Sequence, residues 1–214
     1  MPSEGRLIGP FPPGVDPDGY DRLRRRVLWT MPSGIYLLGT RSGDRAHLMT
    51  LNWATQVSTE PKHVAVSVER SAVSHELLEE GGCFAIALLR RDDRALVRKF
   101  VKPAGHDAAA RTLAGFAYTT ACTGAPVPAF AAAYLDCEVR HRLGLGSHTL
   151  FVGEIVDAGV GAPGATRPVQ QGRAGLEGDA DLVAGDADLV AGDADLVAGT
   201  DVLRMEDTRM SYGG

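Results

Sequence analysis

The stretch MTLNWATQVS at residues 49–58 decides how this sequence is interpreted. It combines apolar positions suited to a strand with an unusual density of amide, hydroxyl and indole groups. Turn chemistry at Pro61 and a second apolar run over residues 64–68 follow directly. From spacing alone, the simpler interpretation is a strand with one polar face, although the same groups also suit a ligand that needs both polar and apolar contacts.

The segments on either side of residues 49–58 predict further short strands and a few helices. Short runs rich in β-branched and aromatic residues predict strands over residues 35–40, 48–58, 64–69, 83–89, 132–142 and 148–156. Apolar residues at helical spacing predict short helices over residues 20–30, 71–80 and 92–100. Ser71 is expected to cap the second helix, and Gly81 and Gly82 to end it. Six short strands with few helices predict a mainly β fold, a barrel with a few short flanking helices.

Bulk composition excludes several classes of protein. The 214 residues, 44% hydrophobic and 23% charged, fit one globular domain with tails. The net charge of −5 and a single dense arginine run at residues 22–26 argue against nucleic acid as a partner. No apolar stretch is long enough for a signal peptide or a membrane span, so a cytoplasmic location without membrane association is expected. Cys83, Cys122 and Cys137 lack CxxC spacing, which predicts buried free thiols and no metal site.

Three domain regions are predicted. Residues 1–19 are rich in proline and glycine and form an extended N-terminal arm, residues 20–160 form the main domain, and residues 161–214 are a C-terminal extension. The extension contains the heptapeptide GDADLVA three times, at residues 178–198. Its period differs from that of the calcium-binding nonapeptide repeat, and one glycine per heptad disfavours a coiled coil. We therefore expect a tandem expansion in a solvent-exposed loop, whose six aspartates account for the net acidity.

A second segment, ERSAVSHE at residues 69–76, carries a candidate anion site. It would bring an arginine, several hydroxyls and free backbone N–H groups to the start of a helix, an arrangement suited to the phosphate of a flavin. A plain capped helix with a surface arginine fits the same residues. An isoalloxazine ring, in turn, would use the polar and apolar groups of residues 49–58.

Four segments, taken together, resemble one known family. MTLNWATQVS, SVERSAVSHELLEEGGCFAIALL, TGAPVPAFAAAYLDCEV and GSHTLFVGEIVDA occur in the order and spacing of the flavin reductase-like, FMN-binding split-barrel family. They span approximately residues 22–158, and the closing RMEDTRMSYGG is similar to the C-terminal end of some members. The resemblance implies a split β-barrel that holds FMN, with FAD as the alternative flavin, at the interface of a homodimer.

The resemblance also implies roles for individual residues. The residues implied to contact the flavin ring and ribityl chain are Thr50, Asn52, Trp53, Ala54, Thr55 and Gln56. The residues implied to contact the phosphate are Ser67, Arg70, Ser71, Ser74 and His75. His148 matches a histidine near the flavin and the nicotinamide. Many relatives have Gly-Asp-His where this chain has Gly146-Ser147-His148, which leaves the orientation and protonation of His148 open.

The implied activity is transfer of a hydride from NADH or NADPH to the flavin, which needs aligned rings rather than a strong acid or base. Reduced flavin would then serve a partner monooxygenase or another acceptor. Two alternatives stay open: an FMN-dependent oxidoreductase that acts directly on an organic substrate, and a non-catalytic flavin-binding protein. Trp29, Tyr134 and the apolar strand faces are candidate interface residues of the homodimer.

Overall fold

The computed structural model describes residues 9–103, 105–163 and 202–208, and the GDADLVA repeat lies outside these residues. One antiparallel seven-stranded sheet has the strand order β2-β1-β5-β10-β11-β4-β3. A four-stranded sheet, β6-β7-β8-β9, packs beside it. The strands are β1 Tyr36–Ser42, β2 Arg45–Leu51, β3 Ala54–Thr59, β4 Lys62–Glu69, β5 Cys83–Leu88, β6 His106–Asp107, β7 Thr112–Leu113, β8 Phe116–Thr120, β9 Pro126–Pro128, β10 Ala133–Leu145 and β11 His148–Val160. The mainly β prediction is confirmed.

The two edge strands of the large sheet, β2 and β3, are neighbours in sequence. Only Asn52 and Trp53 separate them. In a flat sheet, six strand spacings would place the edges about 29 Å apart, whereas a two-residue link reaches only about 11 Å. The sheet must therefore coil until its edges meet at this corner, although no ladder joins β2 to β3 in the described residues. This coiled sheet, open between β2 and β3, is the split barrel. The prediction of a single strand over residues 48–58 was wrong, because Asn52 and Trp53 interrupt that segment at the split.

Two apolar clusters lie on opposite faces of the sheet. The inner cluster fills the coil and includes Leu38, Val66, Phe84 and Phe151, each fully buried. The outer cluster lies between strands β1, β2 and β5 and the smaller sheet, and it includes Leu37, Phe100 and Val127. Leu203, from the C-terminal segment, is also fully buried in the outer cluster.

Helix α1 spans Pro17–Trp29, so it begins three residues before the predicted start. Asp16 caps it by accepting a hydrogen bond from the Gly19 N–H at 2.8 Å, and proline is favourable in the first turn. None of the helix residues is buried. No helix within the described ranges has the length and apolar content needed to cross a membrane.

Helix α2 spans Val73–Gly81 and ends as predicted, with Gly82 in the left-handed region at φ +64°. Its N-cap residue is Ala72, which has no side chain able to cap, so the assignment of Ser71 as the cap was wrong. The predicted helix over residues 92–100 is instead two 3₁₀ helices, Arg91–Ala95 and Val97–Phe100. Cys83 and Cys137 are buried, as predicted, whereas Cys122 is exposed.

Candidate functional site

The aromatic rings of Trp53 and His148 meet on the outer face of strands β3, β4 and β11. Their centroids lie 4.9 Å apart with an interplanar angle of 52°. The Trp53 carbonyl accepts a hydrogen bond from the Ser67 N–H at 3.0 Å, so Trp53 lies opposite Ser67 and its ring reaches over β4 to β11. The two residues are 95 positions apart in sequence, and the sheet brings them together. Trp53 is 47% exposed, which leaves an aromatic surface open to a ligand.

The β10–β11 turn orients the His148 ring. Gly146 and Ser147 form the two-residue connection between the strands, and Gly146 has φ +68°, a conformation that glycine adopts without strain. The Ser147 hydroxyl lies 2.9 Å from His148 Nδ1. This contact holds the ring on the Trp53 side through a neutral hydroxyl. The neutral hydroxyl can donate to Nδ1 or accept from it, so Nε2 keeps the complementary role.

Arg70 lies at the end of β4, beside the same turn. Its backbone N–H donates to the Ser147 carbonyl at 2.9 Å. Its guanidinium passes over Gly144, where an added methyl group would lie 3.2 Å from a terminal nitrogen. The side chain is exposed, and its guanidinium has no ion pair or hydrogen bond to another described residue. Arg70 is therefore a cation with its donors available, next to exposed Ser71.

Ser74 and His75, two of the residues predicted to contact the phosphate, do not share the surroundings of Arg70 and Ser71. Ser74 is fully buried, and its hydroxyl contacts the Thr40 hydroxyl at 3.2 Å and His47 Nδ1 at 2.9 Å. His75 points toward the inner side of the sheet, where Nε2 lies 2.8 Å from the Thr149 hydroxyl. The structure does not bring Ser74 together with Arg70 and Ser71, because its hydroxyl is committed to a buried network.

The predicted ring-binding residues occupy the split and the first half of β3. Asn52 is half-buried at the split, and its amide makes no hydrogen bond to another described residue. Thr55 and Gln56 are exposed and bond only to nearby carbonyls, those of Gln56 and Ser58. Ala54 is half-buried against the inner cluster. Thr50 is the exception, because its buried hydroxyl donates to the Val97 carbonyl at 2.6 Å and supports the fold.

Sequence reasoning missed two residues of this outer face. Leu150 pairs with Ser67 and Leu145 pairs with His148, so both share a face with Trp53. The alternation of β11 contained the signal, because His148 and Leu150 are two positions apart. Further exposed apolar residues of the same region are Val57 at 51% and Leu143 at 56%. The outer face therefore combines aromatic rings with an apolar wall, and the Arg70 guanidinium lies beside Gly144, on the Thr149 side of the same hairpin.

The sequence profile of one family, described as flavin reductase like domain, matches residues 28–174. This chain belongs to that family. A curated relative, the NADH-dependent FAD reductase of Streptomyces globisporus, is 32% identical over 162 residues, covering 71% of this chain and 82% of the relative. Other curated relatives are longer: the chain spans 59% of the high molecular weight rubredoxin of Moorella thermoacetica and 24% of a putative diflavin flavoprotein of Nostoc, both 28% identical to it.

Solved structures of flavin reductases share the fold. The NADH:FAD oxidoreductase of Streptomyces globisporus, in complex with NAD and FAD fragments, has a TM-score of 0.58 and 30% identity, covering 68% of this chain and 85% of the other. The flavin reductase of styrene monooxygenase from Pseudomonas putida has a TM-score of 0.55 and 30% identity, covering 64% and 85%. Membership of the family, inferred above from four sequence segments, is confirmed.

Proposed function

We propose that this protein is an NAD(P)H-dependent flavin reductase that binds FMN on the outer face of β3, β4 and β11. The observation that carries this proposal is the contact between Trp53 and His148 on a half-open face. Arg70 is tied to the same turn, because its backbone N–H donates to the carbonyl of Ser147, the residue before His148. A planar ring with a phosphate-bearing chain needs an aromatic or apolar surface and, a short distance away, a cation. These groups fit a flavin.

Each residue has a defined task in this proposal. Arg70 and Ser71 bind the phosphate, and Asn52, Thr55 and Gln56 hydrogen-bond to the polar edge of the ring and the ribityl chain. Trp53 and His148 form the wall beside which the ring lies, with Ser147 holding the imidazole in place. When bound, the flavin accepts hydride from the nicotinamide and passes electrons onward, and the protein aligns the two rings and excludes water.

The proposal includes a homodimer, because two apolar surfaces of the chain are uncovered. Helix α1 and the residues after it expose Leu23, Val27, Leu28, Trp29 and Met31, each at 53–66%. The outer face exposes the apolar residues described above. Burying such surfaces is favourable, and a symmetric pair of chains would cover both. Tyr134 offers little surface to a partner chain, because it is 8% exposed and its hydroxyl donates to Asp157 at 3.0 Å.

The released reduced flavin would serve a partner monooxygenase. Support comes from the relative that is the reductase of styrene monooxygenase. FAD is the alternative flavin, as in the relative named an NADH-dependent FAD reductase. Oxidation of NADH and of NADPH, measured with and without added FMN or FAD, tests the reaction. A reductase that serves a partner accelerates with free flavin, whereas a rate unchanged by either flavin would contradict the proposal.

Phosphate recognition gives the sharpest binding test. Arg70→Ala removes a charge-assisted contact and should weaken FMN about ten-fold to a hundred-fold. Riboflavin lacks the phosphate, so its affinity for this variant should match that for the wild type. Asn52→Ala is the matched control, because it should weaken both ligands. Fluorescence titration measures the affinities of both ligands for the wild type and the two variants. Equal losses of FMN and riboflavin in Arg70→Ala would show that the arginine acts on the fold instead.

A further inference from the structure

The C-terminal segment, residues 202–208, inserts as a short third strand beside the ends of β1 and β5. These two strands pair directly with each other along their length. Just outside that ladder, the Leu203 N–H donates to the Leu89 carbonyl at 2.9 Å, and the Ile35 N–H donates to the Leu203 carbonyl at 3.2 Å. Backbone hydrogen bonds therefore hold the segment between the two strands.

Side chains hold the segment as well. Leu203 is fully buried in the outer cluster, together with Val97 and Phe100 of the second 3₁₀ helix. Met205 packs against the same cluster. The segment and this 3₁₀ helix therefore share one packed interior, in which a shift of one is felt by the other.

Polar contacts join the end of the segment to both 3₁₀ helices. Arg91 Nε lies 3.1 Å from a carboxylate oxygen of Asp207. Arg98 Nη2 donates to the Thr208 carbonyl at 3.4 Å, in a partly buried hydrogen bond. Thr208 itself is buried. Arg98 thus ties the second 3₁₀ helix to the last described residue of the segment.

A second hydrogen bond continues this connection to the corner between β2 and β3. The Thr50 hydroxyl, near the end of β2, donates to the Val97 carbonyl at 2.6 Å, and both residues are buried. That carbonyl belongs to the peptide group that joins Val97 to Arg98. Thr50 is two positions before Asn52, and no ladder joins β2 to β3 among the described residues. The hydrogen bond therefore restrains the end of β2 where one backbone partner is missing.

We propose that the C-terminal segment positions the corner between β2 and β3 for flavin binding, acting through Arg98 and Thr50. The inference rests on the proposed function, because Asn52 and Trp53 at this corner are assigned to the flavin. Arg98 and Thr50 are positioning residues, since their hydrogen-bonding groups are engaged with the protein. If a link is broken, the corner gains freedom that flavin binding must remove, so the affinity falls.

Riboflavin affinity, measured by fluorescence titration of full-chain variants, tests the two links. Riboflavin lacks the phosphate, so the probe reports on the corner and not on Arg70. Thr50→Val keeps the shape of the side chain and removes the hydroxyl, and Arg98→Met keeps the apolar stem and removes the donor. Each should weaken riboflavin about three-fold to ten-fold. Thr50→Ser should restore the wild-type affinity, and an unchanged affinity in Thr50→Val would overturn the proposal.

The double variant distinguishes one connection from two separate effects. Thr50→Val combined with Arg98→Met should bind riboflavin no more weakly than the weaker single variant, because either break alone releases the corner. Losses that multiply would show two independent effects and contradict the proposal. Arg98 is exposed, so Arg98→Met retains the fold and keeps the test decisive if another variant does not fold.

A matched pair of leucines tests the segment itself. Leu203 and Leu113 are both buried in the outer cluster, but Leu113 lies on β7 of the smaller sheet. Leu203→Ala and Leu113→Ala each leave a cavity in that cluster, and only the first loosens the segment. Riboflavin should bind about three-fold to ten-fold more weakly to Leu203→Ala and within about two-fold of wild type to Leu113→Ala. Equal losses would assign the effect to the cluster as a whole and refute a role of the segment.

A measurement without flavin separates this inference from the proposed function. Trp29 and Trp53 are the two tryptophans of the chain, so Trp29→Phe leaves only Trp53. In this background, acrylamide quenching of the native protein should increase in Thr50→Val, Arg98→Met and Leu203→Ala, because a loosened corner uncovers an indole that is now 47% exposed. Absence of riboflavin binding to the wild type would refute the proposed function alone. Unchanged quenching in all three variants would refute the positioning of the corner.

Discussion

The half of the large sheet formed by β1, β2 and β5 is packed on both faces, whereas the half formed by β3, β4 and β11 is packed on one. Strand β5, with the sequence CFAIAL, has five consecutive buried residues, alternately in the inner and outer clusters. In β4 the inward Val64, Val66 and Val68 belong to the inner cluster, while Ser67 between them is half-buried on the outer face. The smaller sheet and the C-terminal segment cover one half and leave the other open.

This difference separates stability from binding. A strand buried on both faces contributes apolar area from every residue, and any change of volume there disturbs a close-packed interior. A strand buried on one face contributes through alternate residues and presents the others to a ligand or a partner chain. The proposed flavin site and the proposed dimer surface both lie on the open half. Substitutions of the same kind in the two halves should therefore have different consequences.

The largest expected effect comes from a matched pair of glycines. An added methyl group at Gly39, in β1, would collide with the backbone carbonyl of Pro126 in β9. Neither backbone can move without disturbing both sheets, so Gly39→Ala should lower the free energy of unfolding by about 2 kcal/mol or more. In Gly144→Ala, on the exposed part of β10, the added methyl group contacts only the flexible end of Arg70. This variant should change the free energy of unfolding by less than about 0.5 kcal/mol. Urea unfolding at fixed protein concentration compares them, and similar losses would remove the distinction between the halves.

A change on the open half should act on association. Leu143→Glu puts a charge into an apolar surface where Leu143 is 56% exposed. If this surface joins two chains, the buried charge should raise the dimer dissociation constant about ten-fold to a hundred-fold. Val101→Glu is the control, because Val101 is 49% exposed but lies outside this face. Light scattering over a concentration series detects the shift, and an effect of equal size in both variants would argue against the proposed interface.

The smallest expected effect is the part of the pH dependence of stability that comes from His47, in the covered half of the sheet. Burial lowers the pKa of His47, so the unfolded chain takes up a proton on this residue more readily than the folded chain. Stability should therefore be complete above the ordinary histidine pKa and fall as the pH drops below it. Between pH 7.5 and 5.5 this residue can account for at most about 1.4 kcal/mol. His47→Gln should reduce the pH dependence of unfolding, and exposed His141→Gln should not. A pH dependence unchanged in His47→Gln would mean that other groups cause it.

Much of the fold could be predicted because the relevant signals are local. The strand over residues 64–69 and the helix end at Gly82 depend on neighbouring residues alone, and both match the structure. The break at Asn52 and Trp53 was missed because the alternation continues through it, and only the coiling of the whole sheet requires it. Ser71 was misassigned as a cap because the helix begins one residue later than a hydroxyl cap would place it, at Ala72, a residue with no capping side chain to signal the position.

The candidate site was harder to predict because its geometry depends on distant strands. The contact between Trp53 and His148 requires β4 to lie between β3 and β11, an order that no local pattern encodes. The same holds for Ser74, whose burial follows from Thr40 and His47 on two other strands. The free guanidinium of Arg70 is also a tertiary property, because it depends on which carboxylates lie within reach. Residue type indicated the chemistry, and topology decided which residues share it.

The two-residue link between the edge strands has a consequence for the order of folding. Strands β2 and β3 are adjacent in the chain but can meet their final geometry only after β1 has paired with β5 and β4 with β11, which are contacts of long sequence separation. Loop-closure entropy delays such contacts, so the corner at Asn52 and Trp53 should be assembled late, after the folding transition state. Substitutions there would then accelerate unfolding while leaving the folding rate almost unchanged. The residues that we propose to contact the flavin would be among the last to acquire their native arrangement and the first to lose it.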